Sequence, residues 1–389
     1  MDMLQTESWR FLLICDLRFK VNKTKININK ILYPLGCKIL TYKEIDRSQW
    51  GRLVRESRTG TWFQSPEAYM LFASMPEIFQ PFSIAVERVN ELTSERTLRG
   101  VCVGYVTREK SWLKQYFTRR AIILGGPVLS DDASSEEVEA LMRAVKGYGL
   151  QVTGKPIYVE TRNFEDYSKW KGAFEAAGFE YKKHLNYHVD CTDEEAMWER
   201  LSENRKRQIR KGERLSVIGD GLQEEDIRKW YGILERLYRT KVKTPLWPVE
   251  FFLEAYRQGV GKFLLVKHEG NVIGGSMVVC KGLPVTGDGL RDENGCVYEW
   301  FECGMNAEYK EQYPSVMATW AGMEFAHKNG CARYDMMGAG EPGVPYGVRD
   351  FKSEFGGELV EQGRFLYVQK PVLYGLGKFV VKILKNIRI

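Results

Sequence analysis

Tyr313–Gly357 reads YPSVMATWAGMEFAHKNGCARYDMMGAGEPGVPYGVRDFKSEFGG. Its punctuation decides the fold. Trp320, Met323, Phe325 and Ala326 recur at helical spacing behind Pro314, which suits the first turn of a helix. Asn329-Gly330 predicts the end of that helix, because both residues tolerate positive φ. Ala332–Met336 reads as a short strand. Gly338, Gly340, Gly343 and Gly347, with Pro342 and Pro345, can continue neither element and predict a loop. Phe351 and Phe355 lie four apart, so both can anchor a second short helix to the core. Lys352 is expected near the start of that helix, pointing away from its apolar face. Asp335, the glycine loop and Lys352 thus converge at one end of a sheet, where open α/β sheets bind ligands.

Outward from this stretch the chain repeats itself. Phe82–Val89 and Leu98–Val106 predict two strands joined by a charged turn, and Lys262–His268 with Val272–Cys280 predict the same pair again. A helix and a strand follow in each half: Ser135–Lys146 then Pro156–Glu160, and Ser315–Lys328 then Ala332–Met336. Each half then predicts a helix broken by glycine and a final strand pair, AFEAAGFEYKKHLNYHVD in the first and FKSEFGGELVEQGRFLYVQ in the second. Strand and helix mixed in this order predict an α/β fold of two tandem lobes. A length of 389 residues suits two such lobes, 38–192 and 193–370. A helix over Asp193–Arg214 would join them. Residues 1–37 form a leader of unknown role, and 371–389 a basic tail.

The same residues resemble a known family. Tyr313-Pro314, Trp320, Gly322-Met323, Ala326, Gly330 and Tyr334-Asp335, followed by Val348-Arg349-Asp350-Phe351-Lys352 and Phe355-Gly356-Gly357, are similar to the Fem-type (FemA/FemB/FemX) aminoacyltransferases of peptidoglycan interpeptide bridges. Thr61-Trp62-Phe63-Gln64-Ser65, Gly125-Gly126-Pro127-Val128, and Asp190 with Glu194-Glu195, Trp198 and the basic run from Arg205 extend the resemblance over residues 50–368. It implies two GNAT-like (N-acyltransferase) lobes, each a mixed sheet flanked by helices. It also implies aminoacyl-tRNA as donor, and as acceptor a peptidoglycan precursor in a cleft, either a UDP-linked muramyl pentapeptide or lipid II. Trp62, Gln64 and Tyr69 match a family segment bordering the sugar-nucleotide acceptor, with Tyr69 where the family usually has Trp. The basic stretch with Arg205, Arg207, Arg210 and Lys211 borders the same acceptor. The family's long coiled-coil arm has no counterpart, since residues 215–260 predict only short helices such as Glu224–Thr240.

Composition narrows the class. A hydrophobic content of 44% suffices for packed cores. Eight scattered cysteines show no C-x-x-C pair, which argues against a zinc site or disulfide framework and favours a reducing cytoplasm. His184 and His188 are four apart in an expected strand, roughly 13 Å from each other, so no metal is expected. No apolar run approaches the ~20 residues of a membrane span. The short run Phe11–Cys15 follows acidic residues and precedes no small-residue cleavage site, so no signal peptide is expected.

The net charge of +6 is locally concentrated. SENRKRQIRKGER places Arg207, Arg210, Lys211 and Arg214 on one helical face, which would attract the phosphates of tRNA or of a nucleotide-sugar diphosphate. At the C-terminus, Lys378, Lys382 and Lys385 alternate with Phe379, Val380, Ile383, Leu384 and Ile387 in a basic amphipathic helix. Such a helix either docks on the inner face of the membrane or packs on the second lobe.

Amide formation from an activated ester needs a cation or N–H donors for the developing oxyanion, and a way to remove the amine's proton. Lys352 is the candidate cation. Asp335 is the candidate for positioning the amine or taking its proton, and equally for capping the glycine loop. Tyr346 and Arg349 would line the same cleft. No Ser-His-Asp or Cys-His pattern predicts a covalent intermediate, and no cofactor is expected. Two alternatives stand beside the aminoacyltransferase. One is an acyl-CoA-dependent N-acyltransferase, although no pyrophosphate loop follows Ile122–Val128 or Tyr298–Met305. The other is a non-catalytic binder of RNA or cell-wall precursor.

Overall fold

The computed structural model describes residues 36–386 apart from 91, 110, 152–154, 213 and 282–291. The leader expected at 1–37 therefore lies almost wholly outside the described residues, and Cys37 already opens a strand. Runs of alternating and continuous apolar residues become β1 (Cys37–Thr41), β2 (Phe79–Val89), β3 (Arg96–Thr107), β4 (Ala121–Gly125), β5 (Val128–Leu129), β6 (Tyr158–Asn163) and β7 (Glu180–Lys182). The second half supplies β8 (Leu185–Asp190), β9 (Ser216–Ile218), β10 (Lys262–His268), β11 (Asn271–Lys281), β12 (Asp292–Gly304), β13 (Cys331–Gly338), β14 (Glu358–Glu361) and β15 (Arg364–Val368). Two mixed sheets result. The first runs β1-β2-β3-β4-β6-β15-β7, with β5 on β3, and the second runs β14-β8-β13-β12-β11-β10-β9. Helices flank both, so the expected α/β architecture of two GNAT-like lobes holds.

The helices of the first half are α1 (Arg47–Glu56), α2 (Pro66–Ser74), α3 (Trp112–Thr118), α4 (Ser135–Gln151) and α5 (Lys171–Ala176). Those of the second are α6 (Glu194–Glu199), α7 (Glu203–Gly212), α8 (Glu224–Leu237), α9 (Val249–Arg257), α10 (Pro314–Lys328), α11 (Gly347–Ser353) and α12 (Pro371–Asn386). The helix expected over Asp193–Arg214 is thus two. Leu201 turns into the core between them, and Ser202 starts α7, its Oγ accepting from the Arg205 N–H at 3.1 Å. A serine cap supplies the acceptor that a continuous helix would take from its own backbone.

The final strand pairs are exchanged. β7 and β8 are consecutive, yet β7 joins the first sheet and β8 the second; β14 and β15 cross in the opposite sense. Phe365 thus faces Tyr181 in one sheet while Glu358 faces His188 in the other. Strand propensity marks each segment, but any antiparallel partner satisfies the same backbone groups, so pairing is a tertiary choice. Gly363, in the β14–β15 turn, sits at φ +67 with space for a Cβ closed by the Tyr181 ring at 2.2 Å.

Between the sheets lies an aromatic core. Trp300 from β12 packs 5.6 Å from Trp62, 4.9 Å from Phe63 and 5.6 Å from Trp247, centroid to centroid. Each such edge-on or tilted pair adds about 0.5–1.5 kcal/mol to the burial of its rings.

Candidate functional site

The site begins with a bulge. Val278 of β11 pairs with Glu299 and Met277 with Phe301, leaving Trp300 without a partner. One extra residue shifts the alternation of side chains along the strand. Trp300 and Phe301 therefore both enter the aromatic core, whereas Glu299 and Glu302 both turn toward α10. Glu299 accepts from the Thr319 hydroxyl at 2.9 Å and the Tyr334 hydroxyl at 2.8 Å. Burial raises its pKa. Burial, and then the neighbouring Glu299 carboxylate, push Glu302 up to about 8. Its Oε1 has no hydrogen-bond partner.

The parallel pairing of β12 with β13 stops at Tyr298 and Asp335. Lys352 reaches this point. It lies in the last turn of α11 rather than the first, and its side chain points inward, leaving the residue only 7% exposed. Its Nζ donates to the Met336 carbonyl, and to that of Gly338 at 2.9 Å. The expectation of an outward lysine fails because a strand end that has lost its neighbour needs donors, and a long ammonium stem can supply them. Burial lowers the Lys352 pKa, while Glu299, Asp335 and Glu302 oppose that shift.

Asp335 is fully buried beside this ammonium. Its Oδ1 accepts from the Met337 N–H at 2.6 Å, holding Met337 at φ +60. That local bond supports an uncommon backbone conformation for a residue with a side chain. His188, the neighbouring strand residue on β8, brings Nε2 to 3.3 Å from Asp335 Oδ2. Burial would raise the Asp335 pKa, but His188, Arg333 and the Met337 N–H hold it below the ordinary carboxylate value. Arg333, two residues earlier on the same face, crosses to Glu165 of the first lobe, Nη1 donating to Oε2 at 3.1 Å. Tyr298 Oη and Asn186 Nδ2 are buried polar atoms with no hydrogen-bond partner, while His188 Nε2 and Asp335 Oδ2 face each other at 3.3 Å. Native interiors seldom leave such groups unsatisfied, so a set of them around one strand end is where a polar substrate would be held.

The other expected residues fall into three groups. Arg205, Tyr346 and Arg349 support the site. Arg205 is buried, with its guanidinium 4.4 Å from the Phe351 ring centre and 4.7 Å from that of Phe355, and it donates to the Phe351 carbonyl at 3.1 Å. Arg349 staples the glycine loop through the carbonyls of Ala339 at 2.8 Å and Glu341 at 2.6 Å. Tyr346 precedes α11 and remains exposed. Trp62 packs against Trp300, 5.6 Å centroid to centroid. Gln64 is buried, with its amide engaged by the backbone of Val103 and Leu124. Tyr69 lies apart from Lys352 in packing, stacked on Tyr42 at 3.9 Å. Arg207, Arg210 and Lys211 are exposed along α7, as is Arg214 just beyond it. Arg207 donates to Asn204 at 2.8 Å, Arg210 lies 5.4 Å above the Trp198 ring, and Lys211 pairs with Glu311 at 3.1 Å.

Sequence reasoning missed Glu299, Glu302, His188 and the Glu165–Arg333 pair. The signal for the glutamates was present in VYEWFECG, two acids in an otherwise apolar strand. Among the described residues no cluster of His, Cys, Asp and Glu has the arrangement of a metal site.

The FemAB family model matches residues 292–382, from β12 into α12. In fold the chain is similar to the crystal structure of FemX, at a TM-score of 0.63 and 13% identity, over 87% of this chain and 99% of that one. It is also similar to a tandem GNAT protein from the clavulanic acid biosynthesis pathway, at a TM-score of 0.50 and 9% identity, over 85% of this chain and 98% of that one. No curated protein matches the chain in sequence. Residues 292–382 are thus similar to the FemAB family, and the chain as a whole is similar in fold to FemX.

Proposed function

We propose that the protein is a cytoplasmic acyltransferase that moves an amino acid from aminoacyl-tRNA onto an amine of a peptidoglycan precursor. The FemAB match supports the family-level reading. The observation that carries the chemistry is the buried Lys352 ammonium where β12 and β13 part, beside the Asp335–His188 pair.

In the reaction a neutral amine attacks the ester carbonyl. The C–N bond forms, the C–O bond to the ribose breaks, and the amine's proton passes to the protein and then to the leaving hydroxyl. Lys352 places a fixed positive charge where the oxyanion develops, in a site from which most water is excluded. Its N–H groups also hold the glycine loop, so charge and loop position are set together. Asp335 and His188 orient the amine and take its proton. The exposed Arg207, Arg210, Lys211 and Arg214 form a phosphate-binding face for tRNA or for the diphosphate of a UDP-linked muramyl pentapeptide. Lipid II carries the same diphosphate and is the other acceptor in this reading.

The test is incubation with a UDP-linked muramyl pentapeptide and a mixture of aminoacyl-tRNAs, read by the mass of the precursor. A gain of one amino-acid residue, lost in Lys352→Ala, is the expected result. An unchanged precursor overturns the reading. The second reading, an acyl-CoA donor, is favoured by the tandem GNAT likeness in fold. A thermal shift of the protein with acetyl-CoA, and none with the nucleotide-sugar peptide, would promote it.

A further inference from the structure

The end of the first sheet carries an apolar surface that the proposed chemistry does not use. Three backbone bonds gather distant chain segments there: Ile157 N–H to the Arg119 carbonyl at 2.8 Å, and Gln369 and Lys370 N–H to the Ile157 carbonyl at 2.9 and 3.0 Å. The end of α3 and the start of α12 therefore emerge side by side, and Lys370 Nζ lies 5.3 Å from the Tyr116 ring centre. Both helices turn large apolar side chains outward. Trp112 is 79% exposed on α3, with Tyr116 and Phe117 exposed beside it. On α12, Val372 is 84% exposed and Phe379 61%, with Leu376 also outward. Positions 372, 376 and 379 recur at helical spacing, so they share one face. The opposite face meets the protein, since Tyr374 packs 5.6 Å from Tyr158 of β6.

The terminal helix starts on the first lobe rather than on the second, one of the two seats expected for it, because the Ile157 carbonyl of the first lobe receives the N–H groups of Gln369 and Lys370 just ahead of the helix. The side chains from 380 onward, those of Lys382 and Lys385 included, lie outside the described residues.

Cations surround the apolar residues. Burial lowers the Lys370 pKa, and the nearby Arg119 and Lys155 lower it further. Lys378 lies 5.3 Å from the Tyr374 ring centre, on the side of α12 away from the outward apolar residues. Gathering like charges is unfavourable unless an anionic surface faces them. Trp, Tyr and Phe with basic neighbours are the side chains that settle at a membrane–water boundary. Among the described residues no helix is long and apolar enough to cross a membrane. Exposed aromatic and apolar side chains gathered on two adjacent helices mark an interaction surface rather than scattered exposure.

We propose that α3 and α12 together form a membrane-docking surface, with Trp112, Tyr116, Phe117, Val372, Leu376 and Phe379 entering the headgroup region of an anionic lipid leaflet and Arg119, Lys155 and Lys370 facing its phosphates. The surface is independent of the transfer chemistry, so it stands or falls on its own.

The experiment is co-sedimentation of the full chain with two vesicle preparations, phosphatidylcholine alone and phosphatidylcholine mixed with phosphatidylglycerol. Binding to the mixed vesicles, weakened by salt, is expected. Trp112→Ala combined with Phe379→Ala should weaken binding about tenfold or more while the thermal midpoint stays unchanged, since both side chains are exposed. Lys155→Glu with Lys370→Glu should abolish the preference for the anionic vesicles. Equal binding by wild type and the apolar double variant overturns the proposal, as does equal sedimentation with and without vesicles. Dimerisation in solution that Trp112→Ala abolishes would assign the patch to a second copy of the chain and also overturns it.

Discussion

Lys352 Nζ donates to the Gly338 carbonyl at 2.9 Å, so the last turn of α11 holds the open end of β13. A cation in this position stabilises the protein and charges the site at once. Mutations near it should therefore rarely separate stability from turnover.

Lys352→Met removes the donors to Met336 and Gly338 and leaves Glu299 and Glu302 without their neighbouring cation. Unfolding in denaturant should show a loss of ~1–3 kcal/mol, the range for unsatisfied buried polar groups. Turnover should fall about 100-fold or more through loss of oxyanion stabilisation. A variant with wild-type stability would show that the carbonyls of β13 find other donors.

Arg333→Ala strands Glu165 without its cross-lobe partner. Breaking a buried pair from one side destabilises by ~3 kcal/mol or more. Replacing both residues, Glu165→Leu with Arg333→Met, should recover most of that loss. A double-mutant cycle measures the coupling, and simple additivity would show that the two groups do not interact in solution.

Glu302 makes stability depend on pH. Its folded value is about 8, far above the ~4.3 of a free glutamate, so between these values the folded state keeps a proton that the unfolded chain has lost. More protons on the native state means that stability falls as pH rises, fully present below the unfolded value and lost through pH 8. The thermal midpoint should drop between about pH 5 and about pH 8 and level off above that, measured in ~1-unit steps. Glu302→Gln should flatten that drop, and an identical slope in the variant would move the linkage to another group.

Arg205→Ala should act on turnover through α11. The guanidinium touches both Phe351 and Phe355, the rings on either side of Lys352. Losing two cation–π contacts and a carbonyl bond should destabilise by ~2 kcal/mol. The expected signature is a fall in kcat with little change in KM for the nucleotide-sugar peptide. Arg205→Lys should not restore it, because a compact ammonium cannot lie flat against two rings.

Much of the fold was legible because its signals are local. The strands β2, β3, β10 and β11 and the helices α4 and α10 follow from apolar periodicity and from Pro and Gly at their ends. The convergence of Asp335, the glycine loop and Lys352 was legible too, since all three belong to one strand–loop–helix stretch. The exposed basic face of Arg207, Arg210 and Lys211 needed only the helical repeat, although Arg205 of the same run turns inward onto Phe351 and Arg214 lies beyond the helix end.

What the tertiary structure decided concerns partners far apart in the chain. The exchange of β7–β8 with β14–β15 rests on backbone bonds that any antiparallel strand could make, so no local pattern selects it. His188 meets Asp335, and Glu165 meets Arg333, only because the sheets bring residues of different elements together. Glu299 and Glu302 share a face only because Trp300 has no partner on β11, and a bulge depends on both strands. Residue type and spacing determined which elements form and where charge collects along each of them. The inward course of Lys352 was decided by an unpaired strand end that exists only once β12 and β13 have met and parted.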